Sequence, residues 1–190
     1  MMRTPQQRST KTRNHENTKS TLVQICFRGF VVSWFRVPLL VVMALTAANC
    51  APSVGKTPDA GSAMPASIID PYLAIQDALA DDKTDNVKMN AGNIATASTA
   101  LGAPAMKIDT AAVALAAAAD GPEPDISAVR EKFGVLSEAL DTYMKGLNLK
   151  APEGVRVAYC PMVHKPWLQK GETLANPYYG KDMLTCGSFR

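Results

Sequence analysis

The sequence lacks the short motifs by which many enzymes and nucleotide-binding proteins are recognised. It has no glycine-rich phosphate-binding loop and no closely spaced pair of Cys-x-x-Cys motifs, which argues against a P-loop protein and against a structural zinc ribbon. Cys160 and His164 lie close together, but no third group is evident that would orient them for nucleophilic catalysis. We therefore predict a protein that is not an enzyme.

A basic surface for nucleic acid is also missing. Residues 1–49 carry seven basic side chains and one acidic side chain, whereas residues 50–190 carry 13 basic and 16 acidic ones, a net charge of −3. The sequence pI of about 8.7 is therefore a property of the N-terminal part. Because nucleic-acid binding needs a basic stripe on the folded part, we expect no nucleic-acid partner.

No uncharged apolar run is long enough for an ordinary membrane span. The run from Val37 to Ala48 has 12 residues without a charge, which suits a signal-peptide core, whereas a span needs about 20 residues. An uncleaved anchor over residues 29–48 would bury Arg36, which is costly. Plain secretory cleavage near Ala48 is a third alternative. We predict an export leader over residues 1–49.

Small residues precede a cysteine at the end of this leader, in Ala47-Ala48-Asn49-Cys50. The order resembles a bacterial lipobox, in which the cysteine is lipidated and becomes the mature N-terminus, although Asn49 and Ala47 depart from the usual residues. We therefore expect a lipid anchor on Cys50 and a location on the periplasmic side of a bacterial membrane. Ala51 is not the aspartate that often retains lipoproteins in the inner membrane, which favours the outer one.

The mature chain begins with a tether and continues into helices. Residues 50–67 are rich in Pro, Gly, Ser and Ala without a periodic pattern, which predicts a flexible tether ahead of a domain over residues 68–190. Four helices are predicted, with starts near Asp70-Pro71, Thr84-Asp85, Asp109 and Asp125, and ends near Asp81-Asp82, Gly102-Ala103-Pro104, Asp120-Gly121-Pro122 and Leu147. Their short connections predict an all-α fold, an up-down antiparallel helical bundle with a loop-rich C-terminal Cys/Met segment packed on it.

The fourth helix has the clearest pattern. Asp125 is a good cap, and apolar residues follow at spacings of three and four over six turns, at Ile126, Val129, Phe133, Leu136, Leu140, Tyr143 and Leu147. Beyond it the residues from 155 to 159 alternate as a short strand or extended segment would. The loop-rich remainder is expected to pack on the bundle through three aromatic residues, Trp167, Tyr178 and Tyr179.

Soft metal ligands are concentrated in this last segment. Within 27 residues it holds Cys160, Met162, His164, Met183 and Cys186. Thiolate and thioether sulfurs prefer Cu(I) to hard cations, and His164 is an optional nitrogen donor. In an exported protein the two cysteines could equally form a disulfide, worth roughly 3 kcal/mol for this loop, or remain buried thiols. The methionines could instead fill gaps in the core. Spacing alone leaves these alternatives open.

Several blocks of this segment resemble a known bacterial domain family of unknown function. The blocks are Tyr159-Cys-Pro-Met162, Trp167-Leu-Gln169, Asn176-Pro-Tyr-Tyr-Gly180 and Met183-Leu-Thr-Cys-Gly187. That family occurs as the C-terminal extension of periplasmic adaptor (membrane fusion) proteins of copper/silver efflux pumps, and as free-standing exported proteins. The resemblance covers about residues 68 to 188.

The resemblance implies a helical bundle that handles copper or silver outside the cytoplasm. It assigns Cu(I) or Ag(I) binding to Cys160, Met162, Met183 and Cys186, and implies a heavy-metal efflux system or a metallochaperone as the partner. A chain of 190 residues cannot also hold the adaptor's hairpin and barrel domains, so we expect a stand-alone binding module. The alternative hypothesis is an interaction or scaffold domain in which Cys160 and Cys186 form a structural disulfide.

Overall fold

The computed structural model describes residues 56–190. The predicted leader and the predicted lipidation site, Cys50, lie outside these residues. Within the described part the α-helices are α1 (Ala66–Ala80), α2 (Val87–Thr99), α3 (Met106–Ala118) and α4 (Ile126–Gly146). The strands are β1 (Val155–Cys160), β2 (Lys165–Lys170) and β3 (Ser188–Phe189), and short 3-10 turns lie at Ala103–Ala105 and Gly180–Met183. None of the helices in this part of the chain is long and apolar enough to cross a membrane.

The prediction of an all-α fold is wrong, because the C-terminal part forms a three-stranded antiparallel sheet in the order β2-β1-β3. The alternating residues correctly predicted β1. The second strand was missed because four successive residues, from 166 to 169, are buried, so the polar–apolar alternation of a half-exposed strand is absent. Pro166 also indicated a loop, but β2 lies at the sheet edge, where proline is tolerated. The third strand has only two residues.

The four predicted helices are present, with some shifts at their ends. Asp125 caps α4 as predicted, since its carboxylate accepts a hydrogen bond from Ser127 N at 2.9 Å. The first helix begins at Ala66, so Pro71 lies inside it rather than at its first position. Each helix packs against its neighbours in sequence. The core that the four helices share is formed by large side chains that are almost completely buried, among them Ile68, Tyr72, Ile75, Leu79, Ile94, Ile108, Leu115, Phe133 and Leu136.

Part of the segment predicted as a tether is bonded to the loop after α4. Gly61 N donates to Asn148 O at 2.9 Å, and Met64 N donates to Lys150 O at 3.0 Å. The Met64 side chain is only 2% exposed and belongs to the core. The folded unit therefore extends at least to residue 61, ahead of the predicted boundary at 68.

The sheet lies on the helices through β2, which contacts both α4 and α1. The Tyr72 hydroxyl on α1 accepts a hydrogen bond from Leu168 N at 3.2 Å and is bonded to Ser137 Oγ on α4 at 2.7 Å. The Tyr72 ring stacks on Phe133 with 5.0 Å between centroids. These contacts of Tyr72 position the sheet on the helices. They therefore also position the end of β1 that carries Cys160.

Candidate metal centre

Cys160 is the last residue of β1 and is completely buried. Ala158, two residues earlier and also at 0% exposure, shares its face of the strand, because side chains on a strand alternate between faces. The Cys160 sulfur accepts a hydrogen bond from Asn176 Nδ2 at 3.3 Å. The thiol therefore lies inside the protein beside a polar partner.

Cys186 lies just beyond the 3-10 turn Gly180–Met183 and is partly buried. Its amide nitrogen donates to Met183 O at 3.0 Å, which closes a tight turn over residues 183–186. Its carbonyl accepts a hydrogen bond from Asn176 Nδ2 at 2.7 Å. The same nitrogen atom thus contacts the sulfur of one cysteine and the main chain of the other. We call Cys160 and Cys186 the cysteine pair; both are free thiols in the structure.

Asn176 is completely buried, and its polar groups are bonded. Its main-chain N–H donates to Leu184 O at 2.7 Å, and its main-chain carbonyl accepts from Gly180 N at 3.1 Å. Its side-chain Oδ1 accepts from Tyr178 N at 2.8 Å. With the two bonds of Nδ2 to the cysteine pair, this one residue connects the end of β1 to the turn that carries Cys186.

The two methionines predicted as ligands are both exposed to solvent. Met162, in the turn between β1 and β2, is 58% exposed, and Met183 is 38% exposed. They are therefore not gap-filling core residues. Met183 is also tied to Cys186 through the main-chain bond of the 183–186 turn.

His164, the optional nitrogen donor, is an exposed residue of the β1–β2 turn with a left-handed backbone (φ 56°). Its Nδ1 lies 3.3 Å from the Tyr159 hydroxyl. The Tyr159 ring is covered on one face by the Arg190 guanidinium, 3.7 Å from the ring centroid. The imidazole is therefore engaged with Tyr159 on the outside of the hairpin.

The three aromatic residues expected to pack the C-terminal segment lie mostly inside it. Trp167 and Tyr178 are buried and Tyr179 is half-buried. Trp167 meets Tyr178 edge-on at 6.0 Å between centroids, and Tyr178 lies 6.0 Å from Phe133 of α4. Burial raises the pKa of Tyr178 far above its ordinary value, so the hydroxyl stays protonated and donates to Pro166 O.

Buried amide side chains hold the loop that leads to Asn176. Gln169 Oε1 accepts from Trp167 Nε1 at 2.9 Å and from Ala175 N at 3.0 Å, while Gln169 Nε2 donates to Thr173 O at 2.7 Å. Gln76 of α1 donates to Ala175 O at 2.8 Å. Sequence reasoning did not assign a role to these amides. The available signal was their polar character within a segment otherwise expected to pack through aromatic residues.

An ion pair between Arg130 and Asp82 also connects the C-terminal segment to the bundle. Arg130 donates to Asp82 Oδ1, to Leu79 O at 2.9 Å and to Pro177 O at 3.0 Å. Asp82 Oδ2 accepts in turn from Lys181 N at 3.2 Å. The sequence analysis gave Asp82 only as part of a helix end, because its partners lie 48 and 99 residues away.

Among residues 56–190 no group of three or more His, Cys, Asp or Glu side chains is arranged to hold a metal ion. What the geometry does bring together, through Asn176, is the Cys160 sulfur and the main chain of Cys186, and the exposed residues Met162 and Met183 lie in the turns next to these two cysteines. Such a donor set suits soft monovalent ions better than hard cations. Comparison with protein-family models, with curated proteins and with solved structures found no match to this chain.

Proposed function

We propose that this protein is an exported, lipid-anchored module that binds Cu(I) or Ag(I) as its cargo. The thiolates of Cys160 and Cys186 hold the ion, and the thioethers of Met162 and Met183 are additional donors. The observation that supports this most directly is the pair of hydrogen bonds from Asn176 Nδ2, at 3.3 Å to the Cys160 sulfur and 2.7 Å to the Cys186 carbonyl.

The character of the donors supports the proposal. Sulfur ligands are polarisable and bind Cu(I) and Ag(I) in preference to hard ions. Cys160 is buried, whereas Met162 and Met183 are exposed, so an ion can be captured at the surface and held by the thiolates. Loading releases the protons of the thiols and is therefore favoured by higher pH.

The expected role is buffering of the ion or its delivery to a heavy-metal efflux system or metallochaperone. This role rests on the lipobox-like Cys50, on the Pro-, Gly-, Ser- and Ala-rich residues between it and the folded unit, and on the resemblance of the C-terminal blocks to the efflux-associated family. An anchored module with exposed thioethers can exchange its cargo with a partner on the same membrane surface.

An anaerobic competition titration tests the metal assignment. The full chain carrying C26S and C50S retains only the cysteine pair as thiols, and it is titrated with Cu(I) against a chromophoric chelator. We expect one tightly bound ion, no tight binding after the further changes C160S and C186S, and weaker binding with M162L. The matched control is M106L, because Met106 is equally exposed, at 63%, but lies at the start of α3. Unchanged affinity in the double cysteine variant would contradict the proposal.

The second candidate is an interaction or scaffold domain in which Cys160 and Cys186 form a permanent disulfide. The observation that favours it is the same approach of the two residues to Asn176, because a disulfide also needs its cysteines close together. A mass spectrum of unreduced protein taken from the exported compartment separates the two. A mass lower by two hydrogen atoms supports the disulfide, and free thiols support the metal module.

A further inference from the structure

Asn176 makes two hydrogen bonds to the Met183–Cys186 turn. The main-chain N–H of Asn176 donates to Leu184 O at 2.7 Å, and its side-chain Nδ2 donates to Cys186 O at 2.7 Å. The ladder between β1 and β3 begins only after the turn, where Ser188 pairs with Tyr159. The position of Cys186 relative to β1 therefore depends strongly on these bonds.

The carboxamide of Asn176 also reaches the other member of the pair. Its Nδ2 is 3.3 Å from the Cys160 sulfur, and its Oδ1 is fixed by the bond from Tyr178 N at 2.8 Å. An amide clamped in this way cannot rotate without losing a buried hydrogen bond, which is costly inside a protein. Its orientation is thus set by the fold before any ion arrives.

We propose that Asn176 is the positioning residue of the cysteine pair: its carboxamide fixes the Cys186 turn against the Cys160 sulfur and presents the two thiols to one ion. The inference rests on the proposed function, since it deepens the account of the same site. Mutation of a residue that hydrogen-bonds to a metal ligand and orients it commonly weakens metal affinity by about 10–100-fold. Cu(I) affinity therefore falls when the carboxamide is removed, although Asn176 itself provides no sulfur.

A metal-free equilibrium measures this positioning. The full chain with C26S and C50S is equilibrated with glutathione and glutathione disulfide. The two protein thiols lose two electrons and two protons and form the Cys160–Cys186 disulfide. One glutathione disulfide is reduced to two glutathione thiols in the same reaction. The equilibrium constant reports the effective concentration of one thiol at the other. We expect Asn176→Ala to lower it, and to weaken Cu(I) binding by about tenfold or more.

Gln169→Ala is the matched control, because Gln169 is an equally buried amide whose hydrogen bonds hold the same segment and do not involve either cysteine. Thermal unfolding shows how far each variant is destabilised. Asn176→Asp is the second variant, used if Asn176→Ala does not fold; it keeps an acceptor for Tyr178 N and removes the donor to the pair. A lower constant in either Asn176 variant, with Gln169→Ala close to the parent chain, supports the proposal.

The inference is overturned if the Asn176 variants have the same equilibrium constant as the parent. It is also overturned if the constant falls equally in the Asn176 and Gln169 variants. The proposed function fails by a different result. If the parent chain has a high effective concentration that Asn176→Ala lowers, but neither protein binds Cu(I), the metal function is lost and the positioning role stands.

Discussion

At Gly180 the C-terminal segment passes directly over the Arg130–Asp82 ion pair. The backbone there has a φ of +56°, and a Cβ at this position would collide with Asp82 Oδ1 and Arg130 Nη2. A side chain would therefore have to displace the ion pair that holds the segment on the bundle. Glycine is required here for space as well as for backbone conformation.

Replacement of Gly180 by alanine is expected to lower the free energy of unfolding by about 2–4 kcal/mol, because of backbone strain and the steric overlap at the Cβ position. Gly171→Ala is the control, since Gly171 has a φ of +84° but open space around its Cβ position. That change should cost only about 1 kcal/mol. Denaturant unfolding of both variants measures the difference, and equal losses would show that the contact at Gly180 is unimportant.

The Asp82 carboxylate gives a prediction about pH. The hydrogen bond from Arg130 holds the pKa of Asp82 below its ordinary value of about 3.8. A pKa lowered by folding means that the stabilisation is present above the ordinary value and is lost as the pH falls through the lower pKa of the folded state. We therefore expect the parent protein to lose stability below about pH 4 more steeply than D82N.

Unfolding curves measured between pH 2 and pH 7 test this. D85N is the control, because Asp85 is an exposed carboxylate three residues away that makes no hydrogen bond or ion pair within residues 56–190. It should keep the steep acid dependence of the parent. A D82N protein with the same dependence as the parent would contradict the role of the Arg130 bond.

The strand β2 lies at one edge of the sheet, and a side chain of α1 covers its free edge. The edge of β2 turned away from β1 leaves the Leu168 N–H without a strand partner, and the Tyr72 hydroxyl of α1 accepts it at 3.2 Å. The same hydroxyl is bonded to Ser137 of α4. One side chain therefore joins two helices to the sheet and satisfies a buried edge group.

Tyr72→Phe removes only this hydroxyl and leaves the Leu168 N–H unpaired. We expect a loss of about 1–3 kcal/mol in the free energy of unfolding, the usual cost of an orphaned buried donor. Tyr143→Phe is the matched control, because the Tyr143 hydroxyl is buried and has no hydrogen-bond partner among residues 56–190. Its removal should be neutral within about 0.5 kcal/mol or slightly stabilising. The reverse order in chemical denaturation would refute this account of the edge.

How far each element could be predicted depended on whether its pattern was local. The fourth helix was predicted with its cap, because Asp125 and the apolar spacing are properties of neighbouring residues. The strand β1 was predicted from alternation for the same reason. The strand β2 was not, because burial of Trp167 and Leu168 on opposite faces removes alternation, and this burial depends on helices far away in sequence.

In the whole molecule, the composition of the candidate site could be predicted but its assembly could not. Cysteines and methionines concentrated in one segment are visible in the sequence, and so is their soft-ligand chemistry. That Asn176 contacts both the Cys160 sulfur and the Cys186 carbonyl depends on the tertiary structure, because these bonds join residues that are 16 and 10 positions apart. The exposure of Met162 and Met183 likewise follows from where the two turns emerge from the fold.

The central claim, that the cysteine pair is a soft-metal site, is tested most directly by X-ray absorption at the copper edge. The full chain with C26S and C50S is loaded with one equivalent of Cu(I) under anaerobic conditions. We predict a shell of sulfur atoms alone around a monovalent ion, and loss of that shell when Cys160 and Cys186 are replaced by serine. A shell of nitrogen or oxygen, or the same sulfur shell in the serine variant, would contradict the account.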